Sequence, residues 1–167
     1  TTTVLNYLRE QLRRSGTKEG CAEGDCGACV ILVGELNAAG TGVDYLPVNS
    51  CLQLLPTLDG KSVKTIESLK RADGSLHPVQ QAMVDCHGSQ CGFCTPGVVM
   101  SLAGLMNTLP QPSRAQITDS LSGNLCRCTG YKPIIDAAHK ASAAGAVALK
   151  IDDARDVQLL REIRRPR

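Results

Sequence analysis

Nine cysteines in a chain of 167 residues are the feature that most constrains the fold. Eight of them form two groups of four, which are Cys21, Cys26, Cys29 and Cys51, then Cys91, Cys94, Cys126 and Cys128. The first group has the C-x4-C-x2-C run with a distant fourth cysteine that is typical of plant-type [2Fe-2S] sites. We therefore expect a fold that brings two sets of four thiols together around metal.

The composition argues against several classes of protein and several kinds of binding partner. An odd number of cysteines in a chain without an export signal argues against a disulfide framework, because cytosolic thiols are kept reduced. No sequence stretch approaches the roughly 20 apolar residues of a membrane-spanning helix. The formal net charge is +2 and the basic residues are scattered over most of the chain, so a basic patch for nucleic acid is not expected. We predict a cytoplasmic protein without nucleic-acid or membrane partners.

Zinc is the alternative metal for the first group. Zinc sites more often use C-x2-C pairs, whereas four residues separate Cys21 from Cys26 here. Gly24 and Gly27 allow positive φ, so that backbone N–H groups can turn towards the sulfur atoms of an anionic cluster. The spacing favours iron, and a zinc-bound structural module remains the competing interpretation.

The second group is ambiguous in its ligands. Cys91 and Cys94 come just before one predicted helix and Cys126 and Cys128 just before another, where the partial positive charge of a helix N-terminus favours thiolates. However, Cys86 with Cys91 and Cys94 repeats the plant-type run, and either remaining cysteine could complete it. Spacing alone leaves both ligand sets open.

Periodicity and turn signals predict an α+β fold. An amphipathic helix is expected over residues 1–14, with Gly16 as its stop and Thr2 or Thr3 as its cap. Strands are expected over residues 28–36, 45–48 and 63–66. Four later helices are expected to begin near Pro78, Pro96, Ser113 and Pro133. Residues 151–167 form a charged segment of helical character that has little to pack against.

Three stretches resemble the iron-sulfur part of the molybdenum hydroxylases. They begin at Gly16 (GTKEGC, continuing to Cys29), at His87 (HGSQCGFCTPG) and at Gly123 (GNLCRCTGY). Within that family, the chain is most similar to the small subunit of bacterial xanthine dehydrogenases. The resemblance extends over about residues 1–140.

The resemblance implies a fold and a set of site residues. Residues 1–73 would form a ferredoxin-like β-grasp domain that lacks the family's N-terminal hairpin, and residues 74–149 a four-helix bundle. Residues 150–167 would be a tail or linker towards an FAD domain. All eight grouped cysteines would bind iron, while Cys86 falls outside the motif. Gln90 and Cys128 match positions that lie against the pterin of the molybdenum cofactor.

The implied function is electron transfer. Two [2Fe-2S] clusters would relay single electrons from a molybdopterin-binding large subunit to an FAD-binding domain or subunit, within a hetero-oligomer. An aldehyde or carbon monoxide oxidising member of the family is the alternative. No catalytic residue is expected in this chain. The three histidines are expected at a helix start, in a loop and on a helix surface, and they are His77, His87 and His139.

Overall fold

The computed structural model describes residues 2–151 and 153–163, and these form an α+β fold. The strands are β1 (Val30–Leu36), β2 (Val43–Asn49) and β3 (Ser62–Lys64). The helices are α1 (Val4–Asn6, continued by a π-helical turn over Tyr7–Gln11), α2 (Pro78–Asp85), α3 (Thr95–Thr108), α4 (Arg114–Ser120), α5 (Lys132–Ser142), α6 (Ala146–Leu149) and α7 (Ala154–Ile163). Two short 3-10 helices cover Leu55–Leu58 and Ile66–Leu69.

The sheet is antiparallel, with β1 in the centre of the order β2-β1-β3. Gly34 of β1 pairs with Tyr45 of β2 and with Ser62 of β3. Successive side chains of β1 point to opposite faces. Leu32 packs with the helices of the second half, whereas Ile31 packs with α1. The three predicted strands are confirmed, although their ends differ from the prediction by up to two residues.

One continuous core joins the two halves of the chain. Leu32 and Tyr45 of the sheet belong to the same buried cluster as Met100 of α3 and Ile134 of α5. Helix α3 can approach the sheet because Gly104 has no Cβ. A Cβ at this position would lie only 2.8 Å from the Leu32 side chain. The halves therefore support each other by burying apolar surface jointly.

The predicted helix starts in the second half are close to those observed. Pro78 is the first residue of α2, and the capping box of Ser113 with Gln116 opens α4. Pro96 and Pro133 are second residues of α3 and α5, one position later than predicted, because Cys94 and Tyr131 occupy the N-cap positions. The capping rules thus placed these helices to within one residue.

The first helix is shorter than predicted. Thr3 is its N-cap, and the Thr3 Oγ1 accepts a hydrogen bond from the Asn6 N–H at 3.2 Å. Arg13 adopts a positive φ of 56°, so the helix ends before Gly16 and the predicted stop is wrong. Gly16 instead donates its N–H to Glu67 Oε1 at 2.9 Å. Thr1, which the helix prediction also included, lies outside the described residues.

The segment after α6 does pack, so the expectation that it has little to pack against is wrong for its described residues. Val157 and Leu160 of α7 are buried in the common core. Asp153 Oδ2 accepts the Val43 N–H at 2.8 Å, and Asp156 lies 2.6 Å from Lys64 Nζ. Residues 152 and 164–167 of the predicted tail lie outside the described part of the chain. Among the described helices, none combines the length and apolarity that crossing a membrane requires.

Candidate metal centres

The first group of cysteines lies around one irregular loop and the adjoining ends of β1 and β2. Positive φ values at Ala22, Gly24 and Gly27 curl the loop, and the backbone N–H groups of Cys26 and Glu23 donate to Cys21 Sγ at 3.4 and 3.5 Å. These inward N–H groups form the type of concave backbone that binds anions.

The sheet register positions the other two thiols of this group. Cys29 precedes β1 and Cys51 follows β2, and the pairing of Val30 with Asn49 brings those two ends together. The Cys29 and Cys51 sulfur atoms lie 3.4 Å apart and are buried. Ser50 fixes this corner by donating its hydroxyl to the Cys29 carbonyl at 2.7 Å. Local sheet pairing therefore supplies half of the first site.

Ionisation differs across the first site. Hydrogen bonds from the backbone N–H groups of Glu23 and Cys26 lower the pKa of Cys21 to about 7. Burial, together with the neighbouring Cys29 thiol, raises the pKa of Cys51 to about 12. The exposed side of the site is ready to present thiolate, whereas the buried side needs a cation to offset the cost of a charged sulfur atom.

The second group comes from two loops that precede α3 and α5. The thiol of Cys91 interacts with that of Cys128, and the thiol of Cys94 with that of Cys126. Cys91 and Cys128 are exposed, whereas Cys126 is buried and Cys94 is partly buried. The four thiols thus meet as two pairs, one outside and one inside.

Tyr131 holds the second of these loops, a role that the sequence analysis missed. The Tyr131 hydroxyl accepts the Cys126 N–H at 2.8 Å and donates to the Asn124 carbonyl at 3.0 Å. Its φ of 66° makes Tyr131 a left-handed N-cap of α5. The only available signal was its place at the end of the GNLCRCTGY stretch.

Electrostatics at the second site differs from that at the first, because burial does not set the direction of each pKa shift there: the exposed Cys128 has a raised pKa owing to its contact with Cys91. Burial, and then the contact with Cys126, raises the pKa of Cys94 to about 12. The backbone N–H of Phe93, and then Cys128, lowers the pKa of Cys91. Burial opposes ionisation of Cys126, but hydrogen bonds from Thr129 outweigh it and leave the Cys126 pKa below its ordinary value.

Cys86 lies at the C-cap of α2 and packs partly buried against the core. It is within electrostatic range of Lys140. The side-chain partners of Cys91 and Cys94 are Cys128 and Cys126. The geometry therefore supports the ligand set that uses both pairs, rather than the set that includes Cys86.

The structure also places Gln90, the remaining predicted site residue, and the three histidines. Gln90 is exposed next to Cys91. His77 is the N-cap of α2, His87 lies in the turn after α2, and His139 is exposed on α5, as predicted. Among residues 2–151 and 153–163, no group of three or more His, Cys, Asp or Glu side chains converges on the position of a single metal ion.

The pairing of thiols fits a binuclear cluster. In [2Fe-2S] sites four thiolates share two irons, and each iron takes two protein ligands. The second site offers two sulfur pairs, and the first offers the Cys29 and Cys51 pair together with Cys21 and Cys26, whose thiols also interact. Inward N–H groups at Cys21 and Cys91 can offset the negative charge of such a cluster. The chemistry of the donor set therefore matches the group that the sequence predicts.

The two sites are joined directly through their loops. Leu125 donates its N–H to the Cys26 carbonyl at 2.9 Å, and Asn124 Nδ2 donates to the Gly27 carbonyl at 3.2 Å. Leu125 immediately precedes Cys126. One hydrogen bond therefore separates the backbone of a first-site cysteine from a residue adjacent to a second-site cysteine.

Known proteins resemble this chain in both sequence and structure. The [2Fe-2S] binding domain family matches residues 65–139, which include all four cysteines of the second group. The chain is 38% identical to the quinoline 2-oxidoreductase structure from Pseudomonas putida 86, covering 87% of this chain and 84% of that chain with a TM-score of 0.76. This chain belongs to the molybdenum hydroxylase family, as one of its iron-sulfur proteins.

Curated members of the molybdenum hydroxylase family extend the comparison. Aldehyde oxidase 1 of Rattus norvegicus is 50% identical over 134 residues, which are 80% of this chain, and xanthine dehydrogenase of Calliphora vicina is 46% identical over 134 residues, also 80% of this chain. The chain spans about a tenth of the length of these relatives, 10% in each case. The aldehyde oxidoreductase structure from Desulfovibrio gigas matches 93% of this chain and 17% of its own, at 35% identity and a TM-score of 0.75.

Proposed function

We propose that this chain is the electron-transfer segment of a xanthine dehydrogenase-like oxidoreductase, corresponding to the iron-sulfur part of a bacterial small subunit. It would relay single electrons from a molybdopterin centre through two [2Fe-2S] clusters to FAD. The observation that carries the proposal is that two quartets of paired thiols lie on loops that hydrogen-bond to each other. A redox relay needs two such centres close together, and a structural metal site does not.

The ligand assignment uses all eight grouped cysteines. The first cluster would be held by Cys21, Cys26, Cys29 and Cys51, and the second by Cys91, Cys94, Cys126 and Cys128. A [2Fe-2S] cluster supplies storage of one electron at a potential that depends on hydrogen bonds to sulfur and on solvent exposure. The protein contributes the N–H groups at Cys21 and Cys91 and the burial of Cys29, Cys51 and Cys126.

Exposure supports the proposed direction of electron transfer. Gln90, Cys91 and Cys128 are exposed together at the second site, so this site can approach a group bound to another subunit. We place the pterin against Gln90 and Cys128, which makes a molybdopterin-binding large subunit the first partner. The first site would then face an FAD-binding domain or subunit, and the assembly would be a hetero-oligomer in the cytoplasm.

The finer architecture belongs to the same proposal. Residues 1–73 would be a β-grasp domain of ferredoxin type and residues 74–149 a four-helix bundle. Residues 150–167 would lead towards the FAD domain. The position of the sheet within residues 1–73 and of helices α2 to α5 within residues 74–149 supports this division, although the two parts share one core. The packing of α7 on the sheet would fix the direction in which the chain continues.

An aldehyde-oxidising enzyme is the second candidate. Identity to an aldehyde oxidase is 50% and to a xanthine dehydrogenase 46%, over 134 residues in each case. This difference is too small to separate substrates that are bound elsewhere. Assaying the intact complex with purines and with aldehydes separates the candidates, because the electron relay is common to both.

Metal and sulfide analysis tests the relay itself. Two clusters require about four irons and about four acid-labile sulfides per chain, and two distinguishable EPR signals after reduction. A colourless protein that holds zinc tightly, and remains free of iron after reconstitution, would contradict the proposal and favour a structural module.

A further inference from the structure

The two cysteine loops meet in a buried, hydrogen-bonded contact between residues 124–125 and 26–27, which we call the joint. Asn124 is 3% exposed, and its amide reaches the Gly27 carbonyl in the other loop. The Leu125 N–H reaches the neighbouring Cys26 carbonyl. Two consecutive residues of one loop therefore bind two consecutive carbonyls of the other.

Glycines make this close approach possible. A Cβ at Gly27 would overlap the Gly123 carbonyl oxygen and the Asn124 amide, and the φ of Gly27 is 67°. A Cβ at Gly97, in the first turn of α3, would overlap the Gly27 carbonyl oxygen. The Gly27 carbonyl is thus enclosed by α3 on one side and by the Asn124 amide on the other.

The joint acts directly on residues of both sites. Gly27 lies between Cys26 and Cys29, and Asn124 lies two residues before Cys126. A displacement of either loop at this joint would move a cysteine of one site relative to the cysteines of the other. The sites could keep their internal geometry while the distance between them changed.

We propose that Asn124 is a positioning residue that fixes the separation and mutual orientation of the two centres. This inference rests on the proposed function, because it requires a cluster in each site. Its subject is the geometry between the sites, whereas the cysteines determine whether each site forms. Asn124 would contribute little to the assembly of either cluster and much to the coupling between them.

The magnetic interaction between the two reduced clusters measures that geometry, since dipolar coupling depends steeply on distance and orientation. We expect Asn124→Ala, in the intact complex, to retain iron and sulfide but to change the splitting of the EPR signals of the fully reduced protein. Asn107→Ala is the matched control. Asn107 is 5% exposed and its Oδ1 accepts the Ile151 N–H at 3.1 Å, so its loss should leave the splitting unchanged.

Asn124→Leu supplies a second test that keeps the volume of the side chain. Leucine has nearly the shape of the amide but no donor for the Gly27 carbonyl. The splitting should therefore change in this variant as well, although no cavity is left, and this variant also decides the question if Asn124→Ala does not fold.

The outcomes separate the inference from the proposed function. Absence of iron in the wild-type complex would overturn both. Two clusters in the wild type, with the wild-type splitting retained in both Asn124 variants, would overturn the inference alone. Loss of one cluster in a folded Asn124→Ala protein would also overturn it, because Asn124 would then be needed to form a site.

Discussion

The two cysteine sites assemble the same set of donors in different ways. Three thiols of the first site lie within a nine-residue loop, and the fourth follows the strand paired with β1. The second site combines two loops that are separated in sequence by α3 and α4. Its geometry therefore depends on helix packing, whereas that of the first depends mostly on one turn and one strand pair.

Exposure differs between the sites as well. Cys29 and Cys51 of the first site are 2% and 7% exposed, and its other two cysteines are partly buried. The second site has a fully exposed pair, Cys91 and Cys128, next to the exposed Gln90. This difference in exposure is the reason why we propose the second site, rather than the first, as the one that approaches another subunit.

The largest expected effect tests the ligands of the second site. Cys128→Ser should abolish the second cluster, halving iron and sulfide and removing one of two EPR signals, because hydroxyl is a poor substitute for thiolate. Cys86→Ser should keep both clusters, because Cys86 lies at the C-cap of α2 while the thiol partners of Cys91 and Cys94 are Cys128 and Cys126. The opposite pattern would mean that Cys86 is a ligand.

The second-largest effect tests the joint between the two cysteine loops. Gly27→Ala should lower the free energy of unfolding by about 3 kcal/mol, because it adds strain at positive φ to an overlap with the Gly123 carbonyl. Gly123→Ala is the control, since a Cβ there meets nothing within 4 Å. Denaturant unfolding of both variants measures the difference. Equal losses would show that the loops are not held in contact.

A smaller effect tests how α7 stabilises the sheet. Asp156 accepts hydrogen bonds from Tyr45 at 2.5 Å and Ser62 at 3.0 Å and pairs with Lys64 at 2.6 Å. Asp156→Asn should cost about 1–3 kcal/mol of unfolding free energy at pH 7, the range for unsatisfied buried partners. Asp119→Asn, at an exposed position of α4, should change it by less than about 0.5 kcal/mol.

The same residue predicts a pH dependence. Burial raises the pKa of Asp156, but hydrogen bonds from Lys64 and Tyr45 outweigh it and leave the pKa below its ordinary value. A lowered carboxyl pKa contributes stability that is present above the unfolded pKa near 3.9 and is lost as pH falls through the folded pKa. The gap between wild type and Asp156→Asn should therefore narrow in that acid range. A gap that stayed constant would show that the charge of Asp156 contributes nothing.

The smallest effect tests how the N-cap of α2 holds α6, the helix before α7. His77 caps α2 through Nδ1, which accepts the Val79 N–H at 3.3 Å, and its Nε2 lies 3.2 Å from the Leu149 carbonyl. Burial lowers the pKa of His77, so the neutral form is favoured in the folded state. Its contribution is complete above the unfolded pKa near 6.5 and is lost as pH falls through the lower folded pKa.

Substitution of the histidine isolates this contribution. His77→Asn keeps a side-chain cap and should lack the loss of stability that the wild type shows below pH 6.5. His139→Asn, at an exposed position of α5, should retain that loss. Thermal melting at several pH values in this range distinguishes the two variants. Identical profiles for the wild type and both variants would show that His77 does not cause the loss of stability.

Much of the fold follows from local signals in the sequence. The β-branched apolar run of β1, the capping box of Ser113 with Gln116 and the first-turn prolines of α2, α3 and α5 place the elements to within one or two residues. These signals are local because backbone dihedrals and caps involve neighbours in sequence. The first helix was predicted less well, since the left-handed Arg13 ends it without a glycine.

What the sequence could not supply are contacts whose partners are distant in the chain. α7 has a helical pattern of its own, but its docking depends on Tyr45, Ser62 and Lys64. The role of Tyr131 depends on the loop conformation before α5. Burial of a side chain is decided by the surface that it meets, and no periodicity specifies that surface.

The sequence by itself determined the donor chemistry, because eight cysteines at these spacings leave few uses other than paired metal centres. Tertiary structure alone decided which thiols meet. It pairs Cys91 with Cys128 and Cys94 with Cys126 while placing Cys86 at the end of α2. It also decided that the two sites touch, because glycine at positions 27 and 97 lets the loops approach until their backbones share hydrogen bonds.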